Sequence, residues 1–310
     1  MRKCSGKPRE CQLNLPFIFN FQFIIFNCKA LDHVKLFLDT SLACSKLITS
    51  SYSTSFTLGI RTLDKQLHLP VYAVYGFVRW ADEIVDTFHD LDKTTLLADF
   101  QRQTYEALNL GFSLNPVLHS FQAVVREYGI DREFIAAFLA SMEMDLEDQS
   151  YHPGLYEQYI YGSAEVVGLM CLRIFCQHDE AMFQRLREPA RRLGSAFQKV
   201  NFLRDLRSDY EDRGRVYFPG LRYEQFDDEA KRGIEADICT DFEAAYAGIQ
   251  QLPATSRLGV YLAYVYYLKL FYKIRQLPAH AILGQRVRVP DNTKLLLLLG
   301  SYFRYRLRAI

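Results

Sequence analysis

Apolar residues recur every three or four positions along most of the chain, which is the spacing of the buried face of an amphipathic helix. A clear example is the run of Phe134, Ile135, Phe138 and Leu139. Strict alternation of apolar and polar residues, the pattern of a half-buried β-strand, is confined to a weak candidate at residues 286–289. The pattern therefore predicts an all-α protein of about ten helices in a single domain without linkers or repeats.

The prolines add an expectation about where helices begin. Most of those after residue 33 fit helix starts or loops by position: Pro70, Pro116, Pro153, Pro219, Pro253, Pro278 and Pro290. Pro189 directly precedes the apolar-periodic stretch RRLGSAFQKVNFLRDL. Proline is favoured in the first turn of a helix, where its missing N–H costs no hydrogen bond. We therefore expect a helix to begin near Pro189.

The first 33 residues differ from the rest of the chain. Four basic residues precede an apolar stretch, residues 13–28, which Pro16 and several amide side chains interrupt. A signal peptide has a cleaner apolar core and a small-residue cleavage site, and a spanning helix needs about 20 apolar residues. The helical pattern begins at Val34, and valine is what an internal GTG start codon encodes. We hypothesise that residues 1–33 are an atypical extension before a functional domain at 34–310 and that the native start lies near Val34. The intact mass of the native protein tests this, because a mass that includes residues 1–33 would contradict it.

Composition and charge exclude several classes of protein. With 37 Lys and Arg against 36 Asp and Glu, the formal net charge of +1 lacks the strongly basic balance of a nucleic-acid binder. An aromatic share of 14% is too high for a disordered chain and favours a core or cavity walled by rings. The seven cysteines form no CxxC pair, which indicates neither a zinc site nor a disulfide framework and favours a reducing, cytoplasmic compartment.

Two groups of charged residues carry the candidate chemistry. The first is the segment RWADEIVD, where Asp82 and Asp86 are one helical turn apart and project from the same face. Arg79 shares that side of the helix. Like charges at this spacing repel each other unless a cation lies between them. An apolar run at residues 69–78 precedes the pair, so we expect this helix to be half buried.

The second group is the segment QKVNFLRDLRSD. Gln198, Asn201, Asp205 and Asp209 form one polar stripe along about three helical turns. Amide and carboxylate oxygens are the hard ligands that Mg²⁺ prefers, together with substrate phosphates and water. A single DxxxD is usually a solvated helix face, but two such pairs, each with an arginine in register, favour a site that holds diphosphates through bridging ions.

Together, YAVYGFVRWADEIVD and QKVNFLRDLRSDYEDRGRVYFP resemble the two metal-binding motifs of the trans-isoprenyl diphosphate synthases that join two chains head to head, namely the phytoene, squalene and dehydrosqualene synthases. The segments YSTSF and YIYGSAEVVGLM resemble this family's S-x-S-F element and central helix. The resemblance runs from about Leu36 to the C-terminal region and is nearest to the bacterial phytoene synthases. It implies an isoprenoid-synthase-type helical bundle around a central cavity.

The resemblance also implies a role for each matching residue. The metal ligands would be Asp82, Asp86, Asn201, Asp205 and Asp209. The substrate-binding residues would be Ser53, Ser55, Phe56, Arg79, Gln198, Asn201, Arg204, Arg215 and Tyr217. The four aspartates, together with Tyr161 of the central helix, would be the catalytic residues.

Two positions depart from the family's pattern. Thr54 stands where a basic residue is usual between Ser53 and Ser55, which removes one expected phosphate contact. Glu165 places a carboxylate where the central helix usually has glycine for close helix approach. The sequence leaves open whether Glu165 faces the cation path or pairs with an arginine.

By resemblance, Mg²⁺, with Mn²⁺ as a substitute, neutralises the diphosphate of one donor, which ionises to an allylic cation. The second chain attacks this cation to give a cyclopropylcarbinyl diphosphate, and a second ionisation, rearrangement and proton loss give the hydrocarbon. Aromatic faces would stabilise the cation. The candidate rings are Tyr52, Phe56, Phe77, Tyr161 and Phe202.

The product is predicted from one position in the first element. Ile60, one turn after Phe56, is smaller than the Phe of shorter-chain relatives, which favours two geranylgeranyl diphosphates and phytoene, without NADPH. The alternatives are a squalene, hydroxysqualene or dehydrosqualene synthase that uses farnesyl diphosphate, and a non-catalytic assembly factor of the same fold.

The end of the chain, KLLLLLGSYFRYRLRAI, combines an apolar run with Arg304, Arg306 and Arg308. Such a segment either lies on a membrane surface or forms a last helix that packs on the core and has a basic end. Amphiphilic substrates and a water-insoluble product favour a cytoplasmic protein that contacts the membrane peripherally. The sequence leaves the oligomeric state open.

Overall fold

The computed structural model describes residues 33–146, 152–284 and 286–307. Internal contacts divide the chain into two units, Met1–Asp39 and Thr40–Ile310. Nearly all of the expected N-terminal extension lies outside the described residues. The first described helix begins at His33, next to the predicted start of the helical pattern at Val34.

The described part of the chain is helical and contains no strand, which confirms the all-α prediction. Residues 286–290 are irregular, so the strand candidate at residues 286–289 is wrong. The α-helices are α1 (His33–Tyr52), α2 (Thr54–Arg61), α3 (Lys65–Asp86), α4 (Lys93–Leu110), α5 (Pro116–Tyr128), α6 (Arg132–Met144), α7 (Pro153–Ile160), α8 (Val166–Cys176), α9 (Glu180–Arg213), α10 (Asp228–Ile249), α11 (Ala254–Arg275), α12 (Ala279–Ile282) and α13 (Asp291–Arg306). A π-helical segment, Tyr161–Glu165, joins α7 to α8. The described chain has more α-helices than the ten or so predicted, because a helix as short as α12 is too short to show a repeating spacing of apolar residues in the sequence.

Helix α3 carries the first aspartate motif on its last turns. The Asp64 side chain caps its start by accepting a hydrogen bond from Gln66 N at 3.1 Å. Pro70 lies inside the helix, in its second turn, and not at its start as predicted. The middle of α3 is buried in the core, where the Phe77 ring stacks on Phe121 at a centroid distance of 3.9 Å. This packing fixes the direction in which the last turns of α3 project.

Helix α9 carries the second aspartate motif and runs over 34 residues. It begins at Glu180, where the Asp179 side chain accepts a hydrogen bond from Met182 N at 2.8 Å. The predicted start near Pro189 is wrong, because Pro189 lies inside the helix. A Cβ added at Gly248 of α10 would lie 2.2 Å from the Pro189 Cβ, so the two helices touch here. Packing along α9 outweighs the backbone hydrogen bond that a proline removes.

Two glycines let the π-helical segment approach its neighbours. A Cβ added at Gly162 would lie 2.5 Å from the Ala137 carbonyl oxygen of α6. A Cβ added at Gly194 of α9 would lie 2.7 Å from the Ala164 carbonyl oxygen. The family's pattern would place a glycine for close helix approach at position 165, where this chain has Glu165. Here Gly162 and Gly194 allow the close approach, and the central helix packs directly against α9.

Within the described chain, the segment Pro153–Cys176 is long and apolar enough to cross a membrane by length and composition alone. In this fold, 56% of its most apolar window is buried within the protein. It contacts α6 and α9 along its length. The segment thus forms part of the core around the cavity described below.

Candidate active site

Helices α2, α3, α8, α9, α10 and α11 surround a cavity of about 630 Å³. One face of α9 lines it from end to end, through Leu186, Pro189, Ala190, Leu193, Gly194, Phe197, Gln198, Asn201 and Arg204. At 1.5 Å per residue, the distance along α9 from Leu186 to Arg204 is about 27 Å. The cavity is therefore a tunnel, apolar near Leu186 and polar near Arg204.

Eight of the predicted site residues line this tunnel: Ser53, Ser55, Phe56, Arg79, Asp82, Gln198, Asn201 and Arg204. They come from three separate parts of the chain, the start of α2, the end of α3 and the C-terminal half of α9. The fold thus brings the three predicted elements to one polar end of the tunnel. Ile60, the residue from which the product was predicted, is buried and also lines the tunnel.

The remaining predicted residues lie outside the lining: Asp86, Asp205, Asp209, Tyr161, Arg215 and Tyr217. Asp86 is one turn beyond Asp82 on α3, and Asp205 directly follows Arg204 on α9. These carboxylates therefore lie just beyond the polar end of the tunnel, and their role in binding metal stays a prediction.

The Arg79 guanidinium is held in place by two neighbours. It pairs with Glu83 one turn later on α3, and it lies over the Tyr52 ring, 4.5 Å from the centroid. Glu83 is buried and also accepts a hydrogen bond from Thr87 Oγ1 at 2.8 Å. Glu83 was not among the residues predicted from the sequence, although it lies four residues after Arg79, the spacing at which two helical side chains pair.

Buried polar atoms without a partner mark the tunnel wall. Asn201 Oδ1, Ser163 Oγ and Arg79 Nε are buried and have no hydrogen-bond partner in the described structure. All three residues line the tunnel. A buried polar group without a partner costs about 1–3 kcal/mol, so such groups call for a ligand that completes them. The polar end of the tunnel is thus built to bind a polar group.

Aromatic rings form much of the wall near this end. Tyr267 stacks on Phe197 at a centroid distance of 3.9 Å, and Tyr75 and Tyr266 also line the tunnel. Burial raises the pKa of both Tyr75 and Tyr267, so both phenols are neutral at neutral pH. Of the rings proposed from sequence, Tyr52 and Phe56 line the tunnel.

Two of the other proposed rings belong to the core. Phe77 lies in the cluster with Phe121, and Phe202 stacks on Tyr217 at a centroid distance of 4.2 Å. Both are buried. Their faces are covered by other rings, so they are not positioned to face a cation in the tunnel.

Asp205 accepts hydrogen bonds from two arginines. Arg204 Nε lies 2.9 Å from Asp205 Oδ1, and Arg286 donates to both oxygens, at 2.7 and 3.0 Å. Burial is the largest single effect on the pKa of Arg204 and lowers it, but the hydrogen bond to Asp205 and the charge interactions with Asp205 and two nearby tyrosines together outweigh burial, so the net shift is upward. Arg286 comes from the segment after α12, which Arg207 of α9 holds by donating to the Gly284 carbonyl at 2.8 Å. Sequence reasoning missed Arg286.

Asp145, at the end of α6, is a buried centre that sequence reasoning also missed. Arg215 donates to Asp145 Oδ1 at 3.0 Å and to its backbone carbonyl at 2.6 Å. The Tyr159 hydroxyl donates to Oδ2 at 2.7 Å, and the Tyr217 hydroxyl donates to Oδ1 at 3.4 Å. Burial, followed by the Asp145 charge, raises the pKa of Tyr217. Asp145 therefore fixes both residues of the predicted R-x-Y-F-P element.

Glu165 pairs with Arg191 of α9, whose Nε lies 2.6 Å from the carboxylate. The sequence left open whether Glu165 faces the cation path or pairs with an arginine, and in the structure it pairs with an arginine. Burial raises the pKa of Glu165, and the bond from Arg191 opposes that shift. The Arg191 guanidinium also lies 5.4 Å from the Tyr161 ring centroid. Tyr161 is thus packed on this ion pair, and its catalytic role stays a prediction.

Residues 49–237 match the family model for squalene/phytoene synthase. The chain belongs to the squalene/phytoene synthase family. This family of prenyltransferases acts on prenyl diphosphates and joins them head to head. The predicted family resemblance is therefore confirmed.

The similar proteins are named as three different synthases. The chain is 26% identical over 283 residues to the 15-cis-phytoene synthase of Synechocystis sp., covering 83% of each protein. It is 26% identical over 199 residues to the 4,4'-diapophytoene synthase of Staphylococcus haemolyticus, covering 63% of this chain and 67% of the relative. It is 30% identical over 173 residues to the presqualene diphosphate synthase of Sinorhizobium fredii, covering 55% of this chain and 60% of the relative.

A solved structure supports the fold independently. The crystal structure of a dehydrosqualene synthase in complex with ligand superposes with a TM-score of 0.74, at 21% identity, over 87% of this chain and 98% of the other. This member of the squalene/phytoene synthase family therefore has the all-α isoprenoid synthase fold, with the helical bundle and central cavity that the resemblance implied.

The resemblance implies a magnesium site, and the oxygen donors at the polar end of the tunnel can be compared with the ligands that Mg²⁺ prefers. Among the described residues, no three His, Cys, Asp or Glu side chains converge into a preformed metal site. Mg²⁺ typically takes one or two carboxylates and completes its shell with waters and substrate phosphates. Asp82 and the unpartnered Asn201 Oδ1 offer such oxygens at the polar end of the tunnel. The oxygen donors thus fit a metal–diphosphate complex better than a free ion.

A double-mutant cycle tests whether Arg215 is committed to Asp145. We expect Asp145→Asn and Arg215→Gln each to lower the free energy of unfolding, because each leaves a buried charge without its partner. Combined, they should show a coupling energy of about 2 kcal/mol in urea denaturation. Arg222→Gln, in the loop before α10, is the control and should not couple to Asp145→Asn. Additive effects of Asp145→Asn and Arg215→Gln would contradict the pairing.

Proposed function

We propose that this chain is a phytoene synthase, which condenses two geranylgeranyl diphosphates through prephytoene diphosphate to phytoene and releases diphosphate. The length of the tunnel is the observation that supports geranylgeranyl diphosphate as the donor. At about 1.2 Å of advance per bond, an extended geranylgeranyl chain is about 20 Å long and a farnesyl chain about 15 Å. A tunnel of about 27 Å holds the longer chain with its diphosphate at the polar end.

The polar end would hold and stabilise the leaving diphosphate. Arg79, fixed by Glu83 and Tyr52, and Arg204 offer charge-assisted hydrogen bonds to phosphate oxygens. Asn201 would line the same end. Because these groups are fixed before the substrate binds, they stabilise developing negative charge without reorganising.

Bound magnesium, or manganese in its place, would supply Lewis-acid neutralisation of the diphosphate charge. We propose its ligands from the two aspartate motifs and the amide beside them: Asp82, Asp86, Asn201, Asp205 and Asp209. Asp82 and Asn201 line the tunnel itself.

The tunnel walls would protect the allylic cations. Apolar side chains exclude water that would otherwise capture the cation as an alcohol. Neutral tyrosines offer their ring faces to positive charge without offering a phenolate nucleophile. Tyr75 and Tyr267, whose pKa values burial raises, both line the tunnel and are candidates for this role.

Product analysis with the purified protein and Mg²⁺ tests the proposal. Geranylgeranyl and farnesyl diphosphate are supplied separately, each with and without NADPH, and a parallel reaction contains a chelator. We expect phytoene from the longer donor, independent of NADPH and absent with the chelator. A thirty-carbon product would replace the phytoene assignment with one of the farnesyl diphosphate alternatives. No product from either donor would favour a non-catalytic assembly factor.

Ile60→Phe tests the link between tunnel depth and donor. Ile60 is buried and lines the tunnel, so a phenyl ring there shortens the space for the chain. We expect kcat/KM for geranylgeranyl diphosphate to fall about tenfold or more relative to farnesyl diphosphate. Ile60→Val, which leaves the depth unchanged, is the control and should keep the donor preference. An unchanged preference in Ile60→Phe would contradict the assignment.

We also propose that the protein acts in the cytoplasm in carotenoid biosynthesis. Its seven cysteines lack the spacing of a disulfide framework, which favours a reducing compartment. Fractionation of source cells tests the location, since the proposal requires the protein in the cytoplasmic or membrane-bound fraction and not in an exported one.

A further inference from the structure

The C-terminal helix α13 exposes an apolar stripe. Leu296, Leu299, Phe303 and Leu307, which directly follows the helix, are exposed, with Leu296 at 67% and Leu307 at 78% exposure. At 100° per residue these four positions fall within an arc of about 80°. They therefore form one continuous strip along the helix instead of scattered apolar residues.

The stripe lies on the side of α13 that points away from the protein. The buried and half-buried positions, Leu297, Leu298, Ser301 and Tyr305, centre about 180° around the helix from the stripe. A helix on the surface of a water-soluble protein carries polar residues on that outer side. The outer side of α13 is instead apolar, which indicates a non-aqueous partner.

The same helix contributes to the tunnel wall. Leu297, on the inner side of α13, lines the tunnel, and α13 packs along α11, which also lines it. Whatever covers the outer side of α13 is therefore separated from the tunnel by one helix. An apolar product that leaves the tunnel near α13 needs an apolar phase at this surface.

The charge of the chain is divided unevenly. Residues 251–310 carry ten Lys and Arg and a single acidic residue, Asp291, which gives a net charge of +9. The other 250 residues carry 27 basic and 35 acidic residues, which gives −8. Lys269, Arg288 and Arg304 are among the exposed basic residues of the positive region. This sign complements a surface of anionic lipid headgroups, each basic residue contributing about 1 kcal/mol near such a surface.

We propose that α13 is the surface by which this protein docks on an anionic phospholipid bilayer, with the four stripe residues at the boundary of the acyl chains. The stripe supplies apolar burial and the exposed basic residues of the C-terminal region supply electrostatic attraction, the combination that holds interfacial helices on membranes. The proposal rests on the proposed function in one respect, because a hydrocarbon product supplies the reason for docking.

Vesicle sedimentation with the full chain tests the proposal. The vesicles contain either phosphatidylglycerol with phosphatidylethanolamine, or phosphatidylcholine alone. We expect Leu296→Gln combined with Phe303→Gln to lower the partition coefficient on the anionic vesicles about tenfold. Wild-type binding should be stronger on anionic vesicles than on phosphatidylcholine and should weaken as salt increases.

A matched control separates the stripe from exposed apolar residues in general. Leu110, the last residue of α4, and Leu114, in the loop before α5, are exposed at 75% and 81%. Leu110→Gln combined with Leu114→Gln should leave vesicle binding within about twofold of wild type. An equal loss in the control, or no loss in the stripe variant, would overturn the proposal.

Two further measurements test whether a second copy of this chain covers the stripe, and whether a variant has lost activity and not docking. The first is sedimentation velocity of both variants. If only the stripe variant dissociates while its vesicle binding is unchanged, the partner of the stripe is a second copy of this chain, and that result would overturn the proposal. Product formation from detergent-dispersed donors should be the same in the stripe variant and wild type. Because vesicle binding requires no turnover, loss of docking and failure of the proposed synthase activity appear in different assays.

Discussion

Asp82→Asn is expected to lower product formation from the prenyl diphosphate donor by about 10³-fold, without changing the fold. Asparagine keeps the shape of the side chain and removes one negative charge from the polar end of the tunnel. Asp82 lines the polar end of the tunnel together with Arg79, Asn201 and Arg204, where a metal–diphosphate complex would sit. Removing a ligand weakens metal binding and therefore stabilisation of the leaving diphosphate.

The measurement is kcat and KM at several Mg²⁺ concentrations, together with the free energy of unfolding. If Asp82 binds metal, the variant should need more Mg²⁺ and should unfold at the wild-type urea concentration. Asp99→Asn, an exposed carboxylate on α4 that pairs with Arg102, is the control and should turn over at the wild-type rate. Near wild-type turnover in Asp82→Asn would refute the assigned role.

Asp241→Asn is expected to lower the free energy of unfolding by about 3 kcal/mol. Asp241 of α10 is fully buried and accepts hydrogen bonds from three side chains of α9. The Lys199 and Ser195 donors lie at 2.7 Å and the Arg192 donor at 3.2 Å. The substitution leaves buried positive charge with less compensation, and it loosens the contact that holds the second aspartate helix against α10.

The control for this variant is already present in the chain. Asp237, one turn earlier on α10, also pairs with Lys199, at 2.5 Å, but its side chain is 56% exposed. Because water screens exposed ion pairs, Asp237→Asn should cost less than about 1 kcal/mol in the same urea denaturation experiment. Equal losses in the two variants would show that the buried network does not stabilise the α9–α10 contact as argued.

The helical class and the polar stripe of α9 could be predicted from the amino-acid sequence. Both follow from local spacing, because residues three and four apart lie on one side of a helix whatever surrounds it. Gln198 and Asn201 of that stripe line the tunnel, whereas Asp205 and Asp209 lie outside its lining. Pro189 shows where local spacing is insufficient. The preference of proline for the first turn predicts a helix start there, but α9 continues past Pro189, which packs against Gly248 of α10.

Which charged residues pair with each other depends on how the helices pack. Arg286 and Asp205 are 81 residues apart, and Arg215 and Asp145 are 70 apart. No periodicity links such pairs, because the distance between them depends on how whole helices pack and not on the spacing along one helix. The tunnel was decided in the same way, since its wall is shared among helices whose individual patterns indicate only that one side of each is buried. The residue types and their local geometry are set by the sequence, and their partners are set by the packing of the helices.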